Sequence, residues 1–139
     1  MNKKKGKIPQ KYLQLYYMTP ARADAADLYG LLCSEAGISV QCWKEMNVLE
    51  LELENGSSID IEGICPDEWD GEDGDFLKQH HIQSVFALTV PEPDKNSALS
   101  CMEKVLHGFG GFVCADSENF EPVLLGRKEL NTEEEAGIR

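Results

Sequence analysis

Apolar residues recur along this chain with two different periods, and the places where the period changes mark out its elements. Leu13, Leu15 and Tyr17 occupy alternate positions of Tyr12 to Met18 and predict a strand. Thr19-Pro20 reads as a helix start, a capping hydroxyl followed by proline at the first helical position. Ala21, Ala25, Leu28 and Leu32 continue it as a stripe that ends near Gly37. Alternation resumes over Val40 to Glu45 and is strongest in Asn47 to Glu62, NVLELELENGSSIDIE, which predicts a β-hairpin. Further on, a short helix over Phe76 to His81 precedes an apolar strand over Gln83 to Val90. Pro91-Glu92-Pro93-Asp94 then breaks the chain. Asp94 stands where it would cap a second long helix, with Ala98, Leu99, Met102, Val105 and Leu106 facing inward, and Gly108-Phe109-Gly110-Gly111 stops that helix. Strands over Phe112 to Ala115 and Val123 to Leu125 complete the set.

The hairpin register follows from sorting its residues by face. A two-residue Asn55-Gly56 loop would set Leu51 against Asp60 and Glu52 against Ile59, mixing core and solvent residues on each face. A three-residue loop, Glu54-Asn55-Gly56 with Gly56 left-handed, pairs Leu53 with Ser57, Leu51 with Ile59 and Leu49 with Ile61. All the aliphatic side chains then share one face. The other face sets Glu50 against Asp60 and keeps Glu52, Glu54 and Glu62 beside them, and like charges opposed on a sheet are destabilising.

These elements predict an α+β domain, a mostly antiparallel sheet with two helices on one face, in a ferredoxin-like or two-module βαββ arrangement. A faint echo supports two halves: each runs strand, proline-containing break, helix, glycine stop, and then a strand bearing Cys42 or Cys114. The opposite sheet face is expected to be open and to carry the acidic hairpin row together with Tyr12, Tyr16 and Trp43. Residues 1–10 read as a lysine-rich arm, 11–126 as the single domain and 127–139 as a charged tail.

At 139 residues the chain is long enough to bury a core without staples, and its net charge is -12. The distribution of that charge says more than its total. Lys3, Lys4, Lys5 and Lys7 sit in the arm and Arg127, Lys128 and Arg139 in the tail. The cations of the body are therefore Lys11, Arg22, Lys44, Lys78, Lys95 and Lys104, against 21 carboxylates. Such a body repels phosphate backbones and anionic lipid and attracts a basic protein surface. No nucleic acid or membrane partner is expected, and a homodimer that buries the exposed aromatics is a second expectation. No apolar run reaches the roughly 18 residues of a membrane span, and the lysine-rich start leads into Ile8-Pro9-Gln10, so a cytosolic protein is expected. Five cysteines without a CxxC pair read as reduced and mostly buried thiols.

The segment Gly63 to Asp75 is the densest in carboxylates: Asp67, Glu68, Asp70, Glu72, Asp73 and Asp75 fall within nine positions. Counted as an EF-hand from Asp70, position 5 is Gly74 and position 12 is His81, so the calcium pattern fails. The segment reads as a solvated loop in which Trp69 supplies an aromatic anchor inside an acidic rim of Asp67, Asp70 and Asp73. Cys65, His80 and His81 lack any pattern that would make them nucleophile and base. The glycines of 108–111 follow a helix, whereas phosphate loops precede one. His107 reads as a partner of its helix dipole.

The order strand, helix and three strands over residues 12–62 resembles the module of the vicinal-oxygen-chelate (glyoxalase-like) superfamily. That resemblance implies a metal-dependent enzyme with Glu62 at the later ligand position, although Tyr12, Gln14 and Tyr16 stand where the family places a histidine. Weighed against it is a non-catalytic, immunity-protein-like binding or inhibitory module. This module needs no metal or cofactor and docks Glu50, Glu52, Asp60, Glu62, Asp67, Trp69, Asp70 and Asp73 on a basic partner.

Overall fold

The computed structural model describes residues 11–127, so the arm, and the tail beyond Arg127, lie outside the described residues. Seven strands form one antiparallel sheet in the order β2-β3-β4-β5-β1-β6-β7. They are β1 (Tyr12–Thr19), β2 (Ile38–Trp43), β3 (Val48–Leu53), β4 (Ser58–Ile64), β5 (Ser84–Pro91), β6 (Phe112–Ala115) and β7 (Val123–Gly126). Three helices accompany them: α1 (Ala25–Leu32), α2 (Gly71–Gln79) and α3 (Lys95–Phe109). The α+β class is thus observed; the short helix expected over Phe76 to His81 is α2, which starts earlier, at Gly71, and makes a third helix beside the two of the expected layer. Among the described residues, no helix is long and apolar enough to cross a membrane.

The hairpin adopts the predicted register. Leu49 pairs with Ile61, Glu50 with Asp60 and Leu51 with Ile59. The Leu53 N–H donates to the Ser57 carbonyl at 2.8 Å, and Gly56 closes the three-residue loop at φ 91. One sheet face therefore presents Leu49, Leu51, Ile59 and Ile61, together with Leu15 and Tyr17 of β1 and Phe86, Leu88 and Val90 of β5. Ala25, Leu28 and Leu32 of α1 and Ala98, Met102 and Val105 of α3 close over that face. Each fully buried aliphatic side chain contributes roughly 1.5–3 kcal/mol, which makes this cluster the main source of stability.

Several expectations are corrected. α1 starts at Ala25, not after Thr19-Pro20, because β1 runs on to Thr19, whose buried hydroxyl donates to the Phe109 carbonyl at 2.6 Å. Asp24 is the cap instead: its carboxylate accepts from the Asp27 N–H at 3.0 Å, and Asp27 reciprocates on the Asp24 N–H. Asp94 sits at the start of α3 without capping it, since its buried carboxylate accepts from the Asn55 amide at the hairpin tip, 2.9 Å away. The two-halves echo dissolves. β5 lies between β1 and β4, so residues 12–62 form no separate module, and Cys42 and Cys114 belong to different clusters on opposite faces. Only Cys114 is fully buried; Cys42 and Cys101 are half-buried, and Cys33 and Cys65 are exposed.

The helix stop at 108–111 behaves as its glycines suggest. Gly110 caps α3 at φ 72, and Gly111 follows at φ 89 with the Met18 carbonyl so close that a Cβ has no room. This crowding lets β6 enter the sheet directly beside β1.

Candidate functional site

The face opposite α1 and α3 divides into a covered end and an uncovered one. At the covered end, Met18, Val85, Phe112 and Cys114 form a second buried cluster under Leu77 of α2, Ile82 and Phe120. The predicted acidic loop is therefore largely structured. Gly63 and Ile64 end β4, Pro66–Glu68 is a 3-10 turn, and α2 begins at Gly71. Trp69 does not stand free of this body. It is half-buried, stacked on Phe120 at 5.5 Å and 6°, and meets Tyr16 edge-on at 5.3 Å. Those contacts hold Asn119 and Phe120 at left-handed φ angles of 60 and 56, a strained backbone for so bulky a residue as Phe120. Tyr16 is consequently covered rather than displayed. Its burial pushes the phenol pKa up, and the Asp116 and Asp73 charges push it the same way.

Asp67, Asp70 and Asp73 are exposed on the outside of this cover. Asp70 occupies the N-cap position of α2 without a side-chain cap bond. No group of three or more His, Cys, Asp or Glu side chains among the described residues is arranged to hold a metal ion.

At the uncovered end, pairing sets out the acidic row in fixed order. Ser39, Glu52 and Ser58 stand side by side across β2, β3 and β4; Gln41, Glu50, Asp60 and Thr89 form the next rank, and Trp43, Val48 and Glu62 the one after. Glu50 is half-buried, whereas Glu52, Asp60 and Glu62 are exposed. None of these four makes an ion pair with a described residue; the observed ion pair, Lys104 Nζ to Glu35 Oε2 at 2.7 Å, lies elsewhere. Burial raises the Asp60 pKa, and the charges of Glu50 and then Glu62 raise it further. The row thus carries unrelieved repulsion on an open surface. Tyr12 and Trp43 on the same face remain 60% and 42% exposed, enough to offer ring surface to a partner.

Compared with known proteins, the chain matches no family model, no curated protein and no solved structure.

A cleft of about 580 Å³ is lined among others by Arg22, Asn47, Glu62, Cys65, Glu68 and Gln83. Its polar groups are partly committed to the fold. Arg22 Nη2 donates to Gln83 Oε1 at 3.0 Å, and Asn47 Oδ1 accepts the Ala25 N–H at 2.7 Å at the start of α1. His80 and His81 do not line the cleft, so Cys65 is not joined there by the bases its sequence neighbourhood offers. His80 packs against Phe76 instead, with ring centroids 4.4 Å apart.

The α2 cover could have been found in the sequence. Met18, Val85, Phe112 and Cys114 are apolar at positions that should face water if only one side of the sheet were packed, and such two-sided apolar strands signal burial on both faces. Phe76, Leu77 and Ile82 are the matching apolar residues in the segment between β4 and β5.

Proposed function

We propose that this chain is a non-catalytic cytoplasmic binding or inhibitory module, immunity-protein-like, which docks the acidic row of β3 and β4 on a basic protein surface. One observation carries the reading: Glu50, Glu52, Asp60 and Glu62 share an open sheet face, none of them in an ion pair with a described residue, and the Asp60 carboxyl is pushed upward by burial and by the charges of Glu50 and Glu62. A cationic partner relieves that repulsion and is steered to the face by its field. Exposed Asp67, Asp70 and Asp73, outside the Trp69 and α2 cover, extend the same sign of charge along this side of the protein. The fold reads as a ferredoxin-like step, β5-α3-β6 crossing over β1, extended by the β2-β3-β4 meander.

The test compares affinity capture by the natural chain with capture by the combined substitution Glu50→Lys, Glu52→Lys and Asp60→Lys. The expected result is a partner with a cation-rich face, held at low salt and released near 1 M salt, where the screening length falls to about 3 Å. The substituted protein keeps its fold and loses that partner. Equal capture by both proteins refutes the reading.

A second reading, a small-molecule or metal-dependent enzyme on this single sheet rather than on a two-module glyoxalase-like scaffold, draws support from one placement: Glu62 and Cys65 both line the 580 Å³ cleft beside Arg22. Metal content of protein purified without chelator tests it, with a stoichiometric ion lost on Glu62→Gln as its expected signature.

A further inference from the structure

We propose that β2 is a docking edge: an extended segment of the partner, cationic at alternate positions, adds to it as an eighth strand and lays its charges over Ser39 and Gln41 toward Glu52 and Glu50. The inference rests on the preceding reading and names the partner's form.

The edge is open in the backbone. β2 ends the strand order, with β3 its sole neighbour. The Leu53 N–H points to Ser57 on β4, so by strand alternation Glu50 and Glu52 turn their backbone groups toward β2 and bond Gln41 and Ser39. Ile38, Val40 and Cys42 then direct their N–H and C=O groups outward, where no described residue meets them.

The edge is also unguarded. Natural sheets protect edges with charge, proline, bulges or brevity, and the six residues of β2, ISVQCW, hold neither charge nor proline. The opposite edge differs: β7 has four residues, pairs through a bulged register at Val113/Cys114 and ends in a left-handed glycine.

Side chains specify the guest. On the acidic face β2 presents Ser39 and Gln41, short and neutral, and these form with Glu50, Glu52 and Ser58 a hollow of about 210 Å³. A guest backbone lies two strand spacings of about 4.8 Å from β3, a gap that a Lys or Arg side chain and a Glu side chain close from opposite sides. Trp43, next along the same face of β2, offers its ring to a third cation. On the other face the guest's alternate residues lie beside Ile38, Val40 and Cys42, all half-buried next to the main core, so they are aliphatic. A second copy of this chain fits worse. Pairing β2 with β2 brings a second Glu50 and Glu52 about three strand spacings from the first and supplies no cation.

A blocked nine-residue peptide of alternating lysine and valine tests the proposal, measured by fluorescence anisotropy at low salt. Its control carries N-methyl groups on the valines, whose amides would face β2, with charge unchanged. The peptide is expected to bind the natural chain and to protect the Val40 amide from hydrogen exchange. Either N-methylation or Val40→Pro is expected to weaken binding at least about tenfold, because each removes edge hydrogen bonds and leaves the carboxylates in place. Should Val40→Pro fail to fold, the methylated peptide on the natural chain decides alone. Undiminished binding of the methylated peptide, or a β2-paired protein dimer in sedimentation that the peptide does not dissociate, overturns the edge proposal. If binding then still disappears with Glu50, Glu52 and Asp60 reversed, the acidic-face function survives. Full binding by that reversed protein removes both.

Discussion

Replacing Asp60 by Asn should make the protein more stable. Glu50 and Asp60 are directly opposed on β3 and β4. Because Leu49 and Leu51 make the hydrogen-bonded pairs with Ile61 and Ile59, the two acids form a non-hydrogen-bonded pair, the type that brings side chains closest. Two carboxylates about 6 Å apart repel by about 0.7 kcal/mol in a water-like dielectric. Glu62, two residues along β4, adds a smaller contribution. Asp60 is exposed, and salt with a screening length of about 8 Å trims the total, leaving about 0.5–1 kcal/mol to be recovered. Asn preserves shape and removes charge, so urea denaturation at neutral pH should show this gain, with a rise in melting temperature of roughly 2–5 °C.

The pH dependence has a definite sign. The Asp60 pKa is raised above its ordinary 3.8 in the folded state, so within that window the folded protein holds the proton more firmly than the unfolded chain. This group's contribution to stability therefore falls as pH rises from 3.8 through the raised value, and the advantage of the Asn variant should vanish near pH 3. A double-mutant cycle with Glu50→Gln should assign about 0.3–0.8 kcal/mol of unfavourable coupling to the pair, shrinking in high salt. A neutral or destabilising Asp60→Asn, or a gain indifferent to salt, would refute the account of the row as electrostatically frustrated.

Two further outcomes test the body that displays the row. Trp69→Ala should cost about 2 kcal/mol in denaturant unfolding, because it removes one stacked and one edge-on aromatic contact over a half-buried surface, whereas an exposed anchor would cost almost nothing. Tyr17 is buried and donates to the Gly110 carbonyl at 2.6 Å, and its phenol is pushed up to about 12 by burial. The unfolded chain ionises this group first, so its contribution to stability should fall by roughly 2–3 kcal/mol between pH 10 and about 12, a share that Tyr17→Phe removes while the smaller one of Tyr16 stays.

The local elements were legible because they depend on nearest neighbours along the chain. The hairpin register came from face sorting alone, since a one-residue slip would have buried glutamates and exposed leucines. The stop at Gly110 and Gly111 and the inward stripe of Ala98, Met102 and Val105 were legible for the same reason. Boundaries set by distant partners were not. Thr19 resembles a cap, and its Oγ1 does accept the Ala21 N–H at 3.0 Å, but β1 runs through it and its O–H is drawn to the Phe109 carbonyl, 90 residues away in sequence; Asp94 resembles one until Asn55 engages its carboxylate. Trp69 amid carboxylates reads as a surface anchor because nothing local says that Phe120 and Tyr16 will meet it.

Sequence by itself determined the strands, the long helix, the hairpin pairing and the sign of charge on its outer face, all properties of period and composition over a few residues. Tertiary structure alone decided that β5 enters between β1 and β4 and that β2 is left as the uncharged edge beside the glutamates. Those outcomes follow from which apolar surfaces bury one another across long loops, a competition among distant segments that no local pattern encodes.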